Sequence, residues 1–414
     1  MLPVLRTTWP LLLGILLLMV GNGMQGTLLG IRGKIEGIST SQMSVVMAAY
    51  FGGFLLGSRI VPGMIQKVGH VRVFAALASL ISSLLILYAA APHWIAWAAM
   101  RLMIGFCFSG VYITSESWLN ASTSNESRGQ AMSAYMIVQM LGIISAQLLM
   151  NTADPAGYLL FVIPSVLVSF SFLPILLSTQ PAPQFSTLKR MSFGKLFRVS
   201  PLGCVGIFLM GGIFSALFGM ASVWGSTKGL TVTEISAFVA AIYFGGLVLQ
   251  YPVGWLSDHG DRRIIVLGLA VLGFVTSFAT YMIQPGIWGL LLAAAVVGGV
   301  ANPIYSLLLA YTNDFLDASD MAAASAGLLF INGVGAMGGP LITGWVMSVM
   351  GPDGFWVYIG LLLAALAAYT GWRRTRRATP AQDQNFAVIA PSATPVAVEA
   401  ALENAGSDDI ERSA

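Results

Sequence analysis

The sequence predicts an all-α membrane protein, with twelve transmembrane helices in two pseudo-symmetric six-helix halves. Three observations lead to this prediction: an apolar composition, twelve apolar segments of similar length, and a repeat that relates the first six segments to the last six. Hydrophobic residues make up 57% of the 414 residues, charged residues only 9%, and the mean hydropathy is +0.81. Because ordinary soluble domains are about 25% charged, the composition excludes a soluble enzyme and a nucleic-acid-binding protein.

The apolar segments have the length that a membrane span requires. A transmembrane helix needs about 20 mostly apolar residues to cross the hydrocarbon of a bilayer. The two cysteines, Cys107 and Cys204, both lie inside such segments, so no disulfide is predicted. We predict spans 1 to 12 at residues 9–31, 43–63, 73–91, 94–119, 131–150, 157–177, 201–224, 235–256, 264–283, 287–311, 323–349 and 354–372.

The charges of the short loops predict the orientation of the spans. Cytoplasmic loops carry an excess of Lys and Arg, and here these residues concentrate on the side of the two termini. The predicted outer loops hold only Arg32, Lys34 and Lys228. Those predicted on the inner side are Arg6, Lys67, Arg72, Arg128, Lys189, Arg190, Lys195, Arg198, Arg262, Arg263, Arg373, Arg374, Arg376 and Arg377. We therefore expect a multi-pass protein with both termini in the cytoplasm.

The chain contains an internal repeat at an offset of 193 residues, the distance from Tyr50 to Tyr243. Residues 50–53 and 243–246 both read Tyr-Phe-Gly-Gly. A constant offset across four pairs of spans predicts two related halves. Further pairs at this offset are Gly26 with Gly219, Tyr112 with Tyr305, Asn120 with Asn313, Gly142 with Gly335, and the amides Gln139 with Asn332.

The repeat and the composition divide the chain into four parts. We predict an N-terminal six-helix half at residues 1–177, a basic cytoplasmic linker at 178–200, and a C-terminal six-helix half at 201–372. The remaining residues, 373–414, begin with an arginine cluster and continue with Pro, Ala and acidic residues in no sustained apolar period. Such a composition cannot bury enough apolar surface to fold, so we predict a disordered cytoplasmic tail.

Two loop motifs accompany the repeat. Residues 254–263, between spans 8 and 9, read Gly-Trp-Leu-Ser-Asp-His-Gly-Asp-Arg-Arg. Residues 62–72, between spans 2 and 3, contain a degenerate copy in which Gln66 stands where the aspartate is expected. The first of these resembles the loop motif of the major facilitator superfamily of secondary transporters, with Asp261 in place of its second glycine.

Further residues support the same resemblance, which covers residues 1–372. Span 4 contains Arg101-Leu-Met-Ile-Gly105, similar to the Arg-x-x-x-Gly motif of the family, and an Arg-Gly pair at 128–129 opens span 5. The stretch Ser-Glu-Ser-Trp-Leu-Asn at residues 115–120 is similar to a poorly characterised bacterial branch of the superfamily.

The resemblance implies a secondary active transporter of the bacterial inner membrane that moves a small organic solute by alternating access. We expect the transport to be coupled to protons and the protein to be monomeric, with the lipid bilayer and the solute as its partners. The sequence holds no phosphate-binding loop and no zinc or hydrolase motif, so we expect no enzyme activity, no cofactor and no metal site. Two alternatives stay open: a uniporter, and a non-transporting receptor or scaffold on a transporter fold. The substrate and the direction of transport also stay open.

Glu116 is the candidate proton carrier, because it is the only carboxylate inside the predicted spans. A partly buried carboxylate can load and release a proton as its access to water alternates. The alternative is a structural ion pair with Arg72 or Arg128 near the cytoplasmic surface.

Arg101 lies deeper in span 4, where a charge without a partner costs several kcal/mol. We expect it to bond backbone carbonyls or polar side chains of span 1, such as Asn22 or Gln25. The resemblance assigns this arginine to proton transfer or to coupling between the halves, so it is our second proton-coupling candidate.

Charged residues near the predicted inner surface are candidates for a gate, because ion pairs there can bias two packings of the halves. The alternative is a permanent clamp or a set of charges that only orients the protein. The candidate gating residues are Lys67, Arg72, Arg128, Asp258, Arg262 and Arg263.

Amide and phenol side chains within the spans are candidates for substrate binding. In the transporters that this chain resembles, the corresponding spans line a central cavity, where such groups can bond a ligand near the midplane. The alternative for each residue is a hydrogen bond between helices. The candidates are Asn22, Gln25, Tyr112, Gln139, Tyr243, Gln250, Asn302, Tyr305 and Asn332.

Overall fold

A computed structural model describes residues 2–123, 125–177 and 191–376, together with residue 389. Within these residues twelve helices are long and apolar enough to cross a membrane, which confirms the predicted fold class. They are α1 (Leu2–Ile35), α2 (Thr40–Val68), α3 (His70–Ala90), α4 (Trp94–Ser122), α5 (Asn125–Leu149), α6 (Leu159–Leu176), α7 (Pro201–Lys228), α8 (Val232–His259), α9 (Arg262–Ile283), α10 (Ile287–Asn313), α11 (Ala318–Met350) and α12 (Gly354–Arg376).

Local sequence signals mark several helix ends. Ser39 and Thr231 begin α2 and α8, each with a reciprocal pair of side-chain hydrogen bonds to the residue three positions later, which satisfies two of the free amides of a helix start. Asp261 caps α9 by accepting from the backbone N–H of Arg263. Gly69 separates α2 from α3 with a φ of 85°, a conformation that glycine adopts without strain.

The structure adds helix at two places where the sequence predicted linker or tail. A short helix, Phe193–Val199, occupies the end of the predicted linker, while residues 178–190 lie outside the described residues. Helix α12 continues to Arg376, past the predicted start of the tail at 373, because the arginines at 373, 374 and 376 do not by themselves interrupt helical hydrogen bonding. Apart from Ile389, the rest of the tail lies outside the described residues.

Corresponding helices pack in the same pairs in the two parts of the chain. Helix α2 packs on α4 and α1 on α5, as α8 packs on α10 and α7 on α11. Glycines allow these close approaches: a Cβ atom placed on Gly105 of α4 would overlap the carbonyl oxygen of Tyr50, and one on Gly298 of α10 would overlap that of Ile242. The repeat seen in the sequence is therefore also a repeat of backbone contacts.

The repeat does not keep one offset in these contacts. Gly105 and Gly298 are 193 residues apart, whereas Tyr50 and Ile242, whose carbonyls they face, are 192 apart. Likewise Gly53 faces the carbonyl of Leu102, and Gly245, not Gly246, faces that of Ala295. The constant offset predicted from the Tyr-Phe-Gly-Gly match is therefore wrong by one residue for α2 and α8, because glycine-rich strings match at more than one register.

The same offset of 192 applies to α1 and α7. Gly142 of α5 faces the carbonyl oxygen of Leu16, and Gly335 of α11 faces that of Phe208. In structural terms Tyr50 therefore corresponds to Ile242 and Asn22 to Phe214, whereas α4 and α10 keep the offset of 193 and pair Arg101 with Ala294.

The two sets of six helices contact each other through α2 and α11, α1 and α7, and α5 and α8. We call the end of the bundle where α1 begins and α12 stops the terminal end, and the other the opposite end. At the opposite end, Ser222 donates to the carbonyl of Gly26 at 3.1 Å and Ser226 to that of Gly30 at 3.0 Å. The Thr233 hydroxyl also donates a hydrogen bond of 2.7 Å to the Asn151 side chain.

Candidate functional site

Three of the predicted substrate-binding residues form one hydrogen-bonded network between α1 and α4. The Gln25 amide donates to Asn22 Oδ1 at 3.1 Å, and Asn22 Nδ2 lies 3.5 Å from the Tyr112 hydroxyl. That hydroxyl in turn lies 3.3 Å from the sulfur of Met19. The spacing of Asn22 and Gln25, one turn apart on α1, places both amides on the face that α4 approaches.

The two predicted tyrosines of the second half are joined by phenylalanines. The ring of Tyr305 meets that of Phe214 edge-on with 6.0 Å between centroids, and Tyr243 stacks on Phe218 at 4.7 Å. Phe214 and Phe218 stack on each other at 5.7 Å along α7. The structure therefore brings Tyr243 and Tyr305 into one aromatic cluster. Its two phenylalanines were not predicted, because only side chains that can form hydrogen bonds were considered as candidates.

The remaining amides are used differently. Asn302 donates to the carbonyl of Gly298 in its own helix at 3.1 Å, and Asn332 ties α11 to α7 through the carbonyl of Ile207 at 3.3 Å. Gln139 is buried and makes no hydrogen bond within the described part of the chain. The contact of Asn332 is a hydrogen bond between helices, the alternative considered for it, whereas that of Asn302 is within its own helix. A role of either residue in substrate binding stays a prediction.

Ser306 was not among the residues predicted from the sequence, yet it forms hydrogen bonds with a residue of the predicted tail, Ile389. The Ser306 hydroxyl donates a hydrogen bond to the carbonyl oxygen of Ile389 at 3.0 Å and accepts one from the backbone N–H of Ile389 at 3.2 Å. The side-chain amide of Gln250 also donates to this hydroxyl, at 3.4 Å. Ile389 is only 4% exposed. Ser306 lies one turn from Asn302 on α10, and this spacing is the one sequence signal that could have included it.

Arg101 does not bind the amides of α1 that we expected as partners. It is 4% exposed, its Nη2 lies 3.3 Å from the sulfur of Met47, and its guanidinium lies 4.9 Å from the centroid of the Tyr50 ring. Both contacts are on α2, because the glycine at 105 draws α4 against that helix. The Nε atom of Arg101 is buried without a hydrogen-bond partner among the described residues.

Glu116 is 1% exposed and accepts a hydrogen bond of 3.2 Å from the hydroxyl of Tyr135 on α5. Arg72, one of the two arginines considered as its structural partner, is exposed and forms no ion pair within the described residues. The side chain of Arg128, the other one, lies outside the described residues. Tyr135 was not among the predicted site residues, although its polar end inside span 5 was a usable signal.

Two of the predicted gating residues of the second half, Arg262 and Arg263, form ion pairs with residues of the same half. Arg262 forms an ion pair with Asp314 at the start of the loop after α10, with side chains 2% and 1% exposed. Arg263 pairs with Asp261 at 2.8 Å. Asp314 was not predicted, because it lies just past the apolar limit of span 10.

The other predicted gating residues are less constrained. Lys67 and Arg72 are exposed on either side of Gly69 and have no ion-pair partner in the parts of the chain that the structure describes. Asp258 is not free in the structure, because it interacts with other residues. Between the halves near the terminal end, the guanidinium of Arg59 lies 4.6 Å from the ring centroid of Phe330.

Comparison with known proteins identifies the family. The model of the Major Facilitator Superfamily matches residues 11–241 and 202–402. The chain belongs to the major facilitator superfamily. A relative from Yersinia pestis, named an uncharacterized MFS-type transporter, is 26% identical over 355 residues, covering 82% of this chain and 88% of the relative.

Solved structures agree in fold. The nucleoside transporter NupG superposes with a TM-score of 0.71 at 15% identity, covering 88% of this chain and 98% of NupG. The E. coli fucose:proton symporter gives a TM-score of 0.57 at 13% identity, covering 89% and 99% of the two chains. Membership of the superfamily makes the protein a multi-pass membrane transporter of the secondary type, with a small molecule as its substrate.

Proposed function

We propose that this superfamily member is a proton-coupled secondary active transporter that carries a small organic solute by alternating access. It acts as a monomer in the bacterial inner membrane, with both termini in the cytoplasm. The concentration of Lys and Arg at the terminal end, including Lys195 and Arg198 of the linker helix and Arg374 and Arg376 of α12, supports this orientation.

The contacts between the halves support alternating access. At the opposite end the halves meet through hydroxyl–carbonyl hydrogen bonds of Ser222 and Ser226 and through Thr233 with Asn151. Each such bond contributes about 0.6 kcal/mol in a membrane protein, so a few of them hold one state without making it permanent. This is the energy scale that a bistable pair of halves requires.

The observation that carries the coupling proposal is the buried carboxylate of Glu116. One of its contacts is a hydrogen bond from the phenol of Tyr135, a neutral donor that can remain when the carboxylate takes up a proton. Glu116 lies near the terminal end of α4, where a change in the packing of α4 and α5 alters its access to water. A carboxylate with these properties suits reversible protonation during the transport cycle.

The test uses purified protein in sealed liposomes and a compound that saturably raises its melting temperature. We expect an imposed pH gradient to drive accumulation of that compound. In Glu116→Gln, accumulation should fall to the level of protein-free vesicles, while exchange of labelled against unlabelled compound continues, because exchange needs no net proton release. Glu36→Gln, which removes a carboxylate from the partly buried pair with Arg32 at the opposite end of α1, is the matched control and should accumulate normally.

Other outcomes assign other functions. Flux that ignores the pH gradient and is unchanged in Glu116→Gln would identify a uniporter. Saturable binding without exchange in vesicles would identify a receptor or scaffold and contradict transport.

A further inference from the structure

Arg101 is a buried cation without a carboxylate to balance it in the described part of the chain. It lies seven residues after the start of α4, about 10 Å along the helix axis. Its described contacts are a thioether, Met47, and the face of an aromatic ring, Tyr50. A guanidinium keeps its charge and offers five N–H donors, and neither neighbour supplies the anionic oxygen that normally pairs with it in a membrane.

Polar groups next to this cation are also incompletely used. Asn22, which bonds Gln25 and lies near Tyr112, also lies beside the hydroxyl of Tyr50. The Oε1 atom of Gln25 is buried and accepts no hydrogen bond among the described residues. One buried donor, Nε of Arg101, and one buried acceptor, Oε1 of Gln25, therefore both lack a hydrogen-bond partner among the described residues of one connected cluster.

The cluster lies where the two halves meet. Helix α7 contains a π-helical turn, Ala216–Met220, and such turns are frequent at functional sites. A Cβ atom on Gly219 in this turn would lie 3.6 Å from the ring of Phe51 and 3.7 Å from the Cβ of Met47, the residue that contacts Arg101. A ligand bound at Arg101 would thus lie close to the irregular turn of the opposite half.

We propose that Arg101 binds an anionic group of the substrate, which makes the substrate a small organic acid with a hydrogen-bond donor near its carboxylate. The guanidinium takes the carboxylate, the face of Tyr50 orients the guanidinium, and Gln25 accepts from a hydroxyl or amine of the substrate. The aromatic cluster of Phe214 and Phe218 provides an apolar wall on the other half. The proposal rests on the transport function above and adds the charge class of the solute.

Binding is the direct test, with probes that differ in charge alone. Lactate, 3-phenyllactate and benzoate would each be compared with the corresponding neutral amide by melting shifts and equilibrium binding on the purified protein. We expect at least one acid, and not its amide, to bind saturably. Arg101→Gln should weaken that binding by about tenfold to a hundredfold, the effect of losing a charge-assisted hydrogen bond, while Arg101→Lys should keep part of it.

Two controls separate this role from a structural one. Arg59→Gln, an arginine stacked on Phe330, should bind the acid as the unmodified protein does. Without ligand, Arg101→Met should melt no lower than the unmodified protein, because it removes an unbalanced charge, whereas a structural clamp would lose stability.

Three results would overturn the proposal: amides that bind as well as acids, acid binding unchanged in Arg101→Gln, or no acid-specific binding in the series. Neutral compounds that are bound and transported would leave the transport function intact and remove only the anion assignment. Acids that bind through Arg101 without any flux would support the anion assignment and contradict the transport function.

Discussion

The two halves share their backbone contacts but not their chemistry. Gly105 and Gly298 admit the same close approach of a neighbouring helix. Around the first lie Arg101, Met47 and Tyr50, whereas the corresponding residues around the second are Ala294, Val239 and Ile242. Among the described residues, the buried charged side chains inside the predicted spans, Arg101 and Glu116, belong to the first half, and the second half contributes aromatic rings and neutral amides to the same region.

The halves also place their charge pairs differently. Glu116 has Leu309 as its counterpart on α10, and the buried pair of the second half, Arg262 with Asp314, lies at the terminal end. We infer that close helix contacts at glycines stabilise each half in the same way. The residues proposed for proton coupling and for binding a charged ligand lie in the first half alone. Substitutions of Arg101 and Glu116 in the first half should therefore affect transport, whereas substitutions of the contact glycines should affect stability in both halves.

The largest effect on stability is expected at Arg262. Arg262→Met leaves Asp314 buried without its cation, and breaking one side of a buried ion pair costs about 3–5 kcal/mol. Thermal unfolding of the purified protein measures this loss. Adding Asp314→Leu should recover much of it, because neither charge then remains buried. Lys195→Met, at the exposed pair with Asp320, should cost at most about 1 kcal/mol.

Equal and intermediate effects are expected for Gly105→Ala and Gly298→Ala. In each case the added methyl group meets a backbone carbonyl that cannot move aside, and overpacking of this kind costs about 1–3 kcal/mol. Gly63→Ala and Gly268→Ala, where nothing lies within 4 Å of the new Cβ atom, are the controls in thermal unfolding. A large effect at only one of the two contact glycines would contradict the shared packing.

The register of the repeat can be tested with neighbouring glycines. Gly245→Ala should destabilise more than Gly246→Ala, because the first meets the carbonyl of Ala295 and the second only the movable amide of Asn302. Both melting temperatures would be compared with that of Gly53→Ala, because the glycine of α8 whose substitution causes a similar loss is the structural counterpart of Gly53. If Gly246→Ala proved the more damaging, the offset of 193 from the sequence would hold for α8.

The smallest effect is expected at Asn332. Asn332→Ala removes one hydrogen bond between α11 and the carbonyl of Ile207, which is worth about 0.6 kcal/mol in a membrane protein. Binding of the substrate should be unchanged, since the other contacts of the cluster stay in place. Loss of binding without loss of stability would instead place Asn332 in the ligand site.

The sequence by itself determined the fold class, the twelve helices, the existence of two related halves and the family resemblance. It could do so because hydrophobic length, glycine spacing and loop charge are local properties of the chain. The pair Asn22 and Gln25 was also within reach, since the two residues lie one turn apart on α1, whereas their contact with Tyr112 of α4 depends on how the helices pack.

Only the tertiary structure decided which side chains meet. It placed Arg101 on Met47 and Tyr50 rather than on α1, gave Arg262 its partner Asp314, and shifted the repeat by one residue in α2 and α8. One residue of shift turns a helix by 100°, so contacts across helices depend on rotation and register that no single segment encodes. The absence of a carboxylate beside Arg101 in the described residues is likewise a property of the packed bundle, and it underlies the inference about the substrate.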